Sequence, residues 1–292
     1  NLPQHIQDRL ADEAYMLSQV QHPNVPRYIT YQVVKKQGIL MMQRGAGIDL
    51  EHYSLKHGRL SARLLVDIAC QLADVLLALR SNIKDGELQP IVHGDIKPSN
   101  LVIDELNGHV SLIDWGSSVF AQLDANGQYL ANNVMQLMSA DLQNSNARMG
   151  DVYFIGPEQR VGALSSPRFD EQGVAGTLYA LASGQSCRFG CKAIPARSLG
   201  LPVEFATMLD SMLSDDATLR AQAGDYFLQH MPRLKHLVLP ELPIFDDTAL
   251  LPVWISPQAR ELDTVVYSSR KSFLREHSEE EGIAYIDDVQ LE

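Results

Sequence analysis

The chain has 292 residues, 45% of them apolar, and a formal net charge of −12, which suits a packed domain with or without an extension and excludes a disordered chain. So acidic a balance argues against a nucleic-acid partner, since phosphate backbones call for basic patches. No apolar run approaches the roughly 20 residues of a membrane span, no secretory signal pattern opens the chain, and Cys70, Cys187 and Cys191 lack metal-ligand spacing. The cysteines read as buried or free thiols in a reducing compartment, and the expectation is a cytoplasmic protein without a membrane partner.

The first predicted element is a helix over residues 4–20, with Ile6, Leu10, Ala14, Leu17 and Val20 on one face. His22-Pro23-Asn24 stops it, because proline lacks an N–H and restricts the residue before it. Two β-like runs follow at 27–34 and 38–42, joined by the polar turn Lys35-Lys36-Gln37. A short helix is expected over 49–57. Ser61 then caps a long one reaching about Asn82, with Leu64, Leu65, Ile68, Leu72, Val75, Leu76 and Leu79 at helical spacing. Cys70 belongs to that helix as packing, and Lys84-Asp85-Gly86-Glu87 is a polar turn.

Residues 91–116, IVHGDIKPSNLVIDELNGHVSLIDWG, concentrate the chemistry. The apolar pair Ile91-Val92 leads into a polar loop, and the runs 101–103 and 110–113 flank an Asn107-Gly108 hairpin signal. A hairpin brings both loops to one edge, so Asp95, Lys97, Asn100 and Asp114 are expected to converge. Two carboxylates, an amide and an ammonium facing one point suit a Mg-bound phosphoryl group: hard oxygens for the metal, a cation for the phosphate.

These residues resemble the catalytic and metal loops of the protein kinase superfamily, H-R-D-x-K-x-x-N and D-F-G. Here they stand as His93-Gly94-Asp95-Ile96-Lys97-Pro98-Ser99-Asn100 and Asp114-Trp115-Gly116, with Gly94 in place of the Arg. The resemblance implies ATP and Mg as cofactors, Asp95 and Lys97 as catalytic residues, and Asn100 and Asp114 as metal ligands. By the same resemblance the first helix is helix C, and Glu13 falls where that helix pairs with a strand-three lysine. The strands after it become strands four and five. Met42 stands at the hinge entry, the backbone of Gln43 and Arg44 meets the adenine, and Val102 borders the same nucleotide site. The family's Gly-rich loop and strand-three lysine have no counterpart after Asn1, so the chain reads either as a kinase shown without its first strands or as a relative lacking them.

Further motifs keep the family's order. Residues 150–159, GDVYFIGPEQ, resemble G-T-x-x-Y-x-A-P-E-Q, with Asp151 where a Thr usually stands. That substitution adds a negative charge near Asp95. Asp170 would tie down the catalytic loop, and Arg220 would pair with Glu158. A short helix is expected at 135–142. Ser117, Ser118, Ser139 and Ser145 are candidate phosphosites, but Gly94 withholds the arginine that would receive a loop phosphate. Beyond about Leu234 the resemblance ends in a Pro-punctuated segment containing Trp254, an acidic stretch at 276–281 and an apolar run at 283–291.

The expected fold is α+β and two-lobed, protein-kinase-like, with an incomplete small lobe and a mainly helical large lobe. Residues 1–47 form the remainder of the small lobe, 48–234 the large lobe, and 235–292 a C-terminal extension open to partner docking. The function implied is transfer of the ATP γ-phosphate to a serine or threonine hydroxyl of a protein substrate. Two alternatives stand beside it. One is a small-molecule kinase of the aminoglycoside or choline type, a group that also favours H-G-D and I-D-W. The other is a pseudokinase binding scaffold. Lys97, Pro157-Glu158-Gln159, Asp170 and Arg220 favour the protein kinase.

Overall fold

Helix α1 (Gln4–Ser18) buries Ala14, Met16 and Leu17, and Val20 follows just past its end. The computed structural model describes residues 4–130, 150–184 and 194–234, with three short strands at 251–255, 264–266 and 284–286. After α1, Asn24 anchors the chain. Its amide donates to the Val110 carbonyl (2.6 Å) and to Gln71 Oε1 (2.8 Å), and its own carbonyl accepts from the Leu112 N–H (2.8 Å).

Strands β1 (Tyr28–Val34) and β2 (Gln37–Met42) pair antiparallel, with Val34 opposite Gln37. The expected three-residue turn tightens to two, Lys35 and Lys36, both at positive φ (50° and 65°). Such a primed turn follows the right-handed twist of the strands it joins. Strand β3 (Ile48–Asp49) leads into α2 (Leu50–His57), which Asp49 caps by accepting from the His52 N–H. Ser61 caps α3 (Ala62–Arg80) in the same way, and the apolar stripe of α3 is the centre of the core, with Leu65, Ile68, Leu72, Val75, Leu76 and Leu79 buried.

A small hairpin, β4 (Ile83–Lys84) and β5 (Glu87–Leu88), precedes β6 (Ile91–Val92). Strands β7 (Leu101–Ile103) and β8 (Val110–Leu112) form the expected hairpin, β3 adds to β7, and β9 (Val119–Phe120) pairs with β6. Asn107-Gly108 does not close the β7–β8 loop alone. Asp104 organises it, accepting from Leu106 N–H and Asn107 Nδ2 through its side chain and from Gly108 N–H through its carbonyl.

The remaining described helices are α4 (Pro157–Arg160), α5 (Arg168–Ser183), α6 (Val203–Met212) and α7 (Ala217–Leu234). Helix α5 is buried on almost every side, and α3, α6 and α7 pack against it. The buried Arg220 pairs with Glu158 and also donates to the Ser214 carbonyl (2.6 Å), so α7 holds α4 in place. Strands β10 (Leu251–Ile255), β11 (Thr264–Val266) and β12 (Ala284–Ile286) make an antiparallel sheet with β10 in the middle. Pro252 lies opposite Tyr285 of β12, before the pairing of β10 with β11 begins at Val253. The helix expected at 135–142, Cys187, Cys191, Ser139, Ser145 and the acidic stretch at 276–281 lie outside the described residues.

Two stability predictions follow from buried charge. Glu158→Ala strands the Arg220 guanidinium and should cost about 3 kcal/mol in urea unfolding, while adding Arg220→Met should recover most of that loss. The second concerns Asp170, which is 2% exposed. Burial pushes its carboxyl up to about 7, against the pull of two backbone N–H donors and with the Glu171 charge adding to the rise. The folded value lies above the unfolded one, so this group's stabilisation is full below about pH 4 and is lost as pH rises through 7. Asp170→Asn does not titrate, and its unfolding free energy should therefore approach the wild-type value as pH goes from 5 to 8.

Candidate active site

The loop between β6 and β7 owes its shape to groups outside it. Asp170 accepts from the His93 N–H (2.7 Å) and the Gly94 N–H (2.8 Å), one on each carboxylate oxygen. Gln159 Nε2 donates to the Gly94 carbonyl (2.7 Å), and Thr177 Oγ1 donates to the Ile96 carbonyl (3.2 Å). Gly94 itself sits at φ 80°, a left-handed conformation that a side chain would strain. Here the position read from sequence as a missing cation has a conformational reason to be glycine.

His93 is fully buried, and burial holds its pKa below the usual imidazole value despite the Ile113 carbonyl and the nearby carboxylates. A neutral ring with Nε2 3.1 Å from the Ile113 carbonyl donates there, which leaves Nδ1 to accept from the Asp95 N–H (3.3 Å). Trp115 packs edge-on against it with ring centroids 5.0 Å apart, and its indole N–H donates to the Leu112 carbonyl (3.1 Å). One neutral histidine thus joins the two functional loops.

Asp95 is held on both oxygens. Its Oδ1 accepts from the Asp151 N–H (3.0 Å); its Oδ2 meets Lys97 Nζ (2.9 Å) and Asn100 Nδ2 (3.1 Å). Asn100 Nδ2 also donates to the Asp95 carbonyl (2.8 Å), so the amide oxygen is the atom Asn100 can give a cation. Burial works against the Lys97 charge, but the hydrogen bond and charge of Asp95, with Asp151 and Asp114 behind them, outweigh it and raise the ammonium pKa. Asp151 therefore steadies Asp95 through its backbone, while its carboxylate turns to the Tyr153 N–H (3.0 Å). Gly150 beside it is required: a Cβ there would stand 2.7 Å from the Gly94 carbonyl and 2.8 Å from Asp95 Oδ1. The sequence reading missed Gln159 as a loop anchor, and no local pattern signals that contact.

Asp114 is exposed, takes φ 62°, and accepts from the Gly116 N–H (3.3 Å). Glu13 of α1 reaches the same loop. Burial raises its pKa, the Asp114 charge raises it further, and a hydrogen bond from the Trp115 N–H opposes both. Among the described residues the partner of Glu13 is thus that N–H, and no ion pair with a lysine or arginine is formed. No group of three or more His, Cys, Asp or Glu side chains gathers among the described residues. The donor set of one carboxylate and one amide oxygen fits a hard cation that completes its shell with phosphate and water, the habit of Mg²⁺.

The residues expected from sequence to border a nucleotide lie along a connected path. Met42 ends β2 and packs on the core, while Gln43 and Arg44 are exposed. The Gln43 N–H is already bonded to the Arg27 carbonyl (2.8 Å), which leaves Gln43 only its carbonyl for a base. A Cβ built on Gly45 would lie 3.2 Å from Ser111 Cβ and 3.6 Å from Val102 Cβ, so this segment crosses directly over the β7–β8 hairpin.

Comparison with known proteins identifies the family. Residues 2–189 match the family model described as protein kinase domain. The chain is 25% identical over 179 residues to serine/threonine-protein kinase PrkC of Bacillus subtilis, covering 61% of this chain and 24% of PrkC. It is 28% identical over 162 residues to serine/threonine-protein kinase ATG1b of Arabidopsis thaliana, covering 52% of this chain and 22% of that one. With PkaA of Streptomyces coelicolor the identity is 26% over 179 residues, covering 61% and 29%. The chain spans between a fifth and a third of the length of these relatives. With a kinase-like α+β fold, and with the family model matched over more than half of its length, the chain belongs to the protein kinase domain family.

Proposed function

We propose that this protein is a serine/threonine kinase that moves the γ-phosphate of ATP to a protein hydroxyl. The observation that carries the reading is Asp95, fixed on one oxygen by the Asp151 N–H and on the other by Lys97 and Asn100. A carboxylate held this way orients an incoming hydroxyl and takes its proton as the new O–P bond forms and the β–γ P–O bond breaks to release ADP, and the Lys97 ammonium beside it neutralises the phosphoryl oxygens. Asn100 and Asp114 are the proposed metal ligands. Bound Mg²⁺ would supply charge neutralisation on the phosphates. Met42, the Gln43 carbonyl, Arg44 and Val102 are proposed to border the base, and Glu13 to brace the metal loop from α1.

Within this reading, residues 1–47 serve the nucleotide side, 48–234 the catalytic side, and 235–292 an extension. The named relatives are serine/threonine kinases, and the Glu158–Arg220 pair and the Asp170 tether support the protein-kinase class over a small-molecule kinase. The intact Asp95, Lys97, Asn100 and Asp114 set favours a working enzyme over a binding scaffold.

In the full-length protein, Asp95→Asn should lower kcat by about 10²–10⁴-fold with little change in nucleotide affinity, because the carboxylate acts on the hydroxyl. Asp114→Asn should abolish Mg-dependent turnover while leaving the thermal unfolding curve in place, since its side chain is exposed and asparagine tolerates the left-handed backbone there as aspartate does. Steady-state kinetics and calorimetry read both. The acceptor class is tested with labelled ATP: serine or threonine labelling of the protein itself or of a basic protein is expected. Labelling of an aminosugar or amino alcohol alone would overturn the protein-kinase reading.

A further inference from the structure

Lys84 belongs to no motif, yet it stands where three elements meet. Its ammonium donates to the Tyr15 hydroxyl and lies 5.1 Å from the Tyr15 ring centroid and 4.7 Å from that of Phe120. The two rings meet edge to face, with centroids 6.3 Å apart. Tyr15 is on α1, two residues after Glu13; Phe120 is on β9, six residues after Asp114. The cluster therefore joins the helix that carries Glu13 to the strand that leaves the Asp114 loop.

The platform under Lys84 is braced. Asn82 and Gln89 close the neck of the β4–β5 hairpin, Asn82 Nδ2 donating to the Gln89 carbonyl (2.9 Å) and the Gln89 N–H to the Asn82 carbonyl (2.8 Å). The Ala121 N–H donates to the Pro90 carbonyl (2.8 Å), and β6 pairs with β9 through Ile91 opposite Phe120. Asp8 and Arg9 are exposed, Tyr15 is half exposed, and Glu13 reaches the loop through the Trp115 N–H. Burial raises the Glu13 pKa most, and repulsion between the Glu13 and Asp114 carboxylates raises it further. A contact that presses α1 onto the Asp114 loop has to oppose that repulsion.

We infer that Lys84 is a positioning residue: through Tyr15 and Phe120 it holds α1 against the Asp114 loop, and so sets Glu13 and Asp114 for the Mg-nucleotide. This rests on the proposed function for its kinetic consequence and on the contacts alone for its structural one. A cation–π contact and a hydrogen bond together correspond to about a tenfold change in the docking equilibrium of α1.

The test uses Lys84→Met, Lys84→Arg and Tyr15→Phe in the full-length protein, with two readouts. The first is hydrogen exchange of the peptide containing the Trp115 amide, which needs no activity. Lys84→Met should speed exchange there and along α1 about tenfold, Tyr15→Phe should do so to a lesser degree, and Lys84→Arg, which keeps a cation at the Phe120 ring and a donor to the Tyr15 hydroxyl, should restore protection. The second is the kinetic split: Lys84→Met should raise KM for MgATP about tenfold with kcat nearly unchanged, and arginine should rescue it. Unchanged exchange at Trp115 in Lys84→Met would overturn the clamp, as would loss of kcat and KM that arginine does not rescue. If Lys84→Met fails to fold, Tyr15→Phe decides by the same exchange readout. Absence of protein labelling by the wild type would overturn the proposed function and leave the clamp to the exchange data.

Discussion

A loop that presents a carboxylate, an amide and an ammonium to one point has no apolar surface of its own with which to hold its shape. Asp170 supplies what it lacks. Its two oxygens take the His93 and Gly94 N–H groups from within a helix that is buried nearly all round, so the loop inherits that helix's rigidity. Burying a carboxylate costs several kcal/mol, which the two N–H bonds offset only in part, and the pKa raised to about 7 records the difference. The Gln159 and Thr177 contacts complete the set, leaving the carbonyls of Gly94 and Ile96 satisfied. If this tether moves, Asp95, Lys97 and Asn100 move with it.

The charge distribution has a comparable economy. Lys97 is the cation at the centre of the site, and Asp95, Asp151 and Asp114 all raise its pKa. The buried and half-buried arginines are engaged elsewhere: Arg220 with Glu158, and Arg80 and Arg168 with Glu171 and Asp225. Those pairs hold helices together, and among the described residues they leave Asp114 and Glu13 near each other without a neutralising side chain. Such an arrangement attracts a cation from solution, in keeping with the proposed metal role of Asp114. The Lys84 cluster bears on the same problem from the far side of α1, because two like charges on different elements stay close only if something else holds the elements.

Much of this was legible in the chain. The apolar spacing of 62–80, the Ser61 and Asp49 caps, the β7–β8 hairpin and the order of Asp95, Lys97, Asn100 and Asp114 are local patterns, and local patterns survive translation into structure because each is decided within one or two turns of helix or one hairpin. Asp95, Lys97 and Asn100 meet as expected, and Asp114, at the other end of the hairpin, is near enough for its charge to raise the Lys97 pKa. The loop at 104–109 and the turn at Lys35-Lys36 were less legible, because turn geometry depends on side-chain hydrogen bonds such as those of Asp104 and on how the strands twist.

What the tertiary structure alone decided is which atoms of those residues face one another. Asp151 looked like an added charge against Asp95 and proved to approach through its N–H, because the close contact at Gly150 turns the backbone, not the carboxylate, toward the loop. Gly94 looked like a lost cation and proved to occupy a left-handed position. Gln159, Asn24 and Lys84 had no motif at all, since each bonds to a partner more than 60 residues away. The amino-acid order by itself determined the helices at 4–18, 50–57 and 62–80 and the β7–β8 hairpin. The hydrogen-bond partners that orient the site were set only when distant segments packed, because a side chain's partner is a property of the space around it and not of its neighbours in the chain.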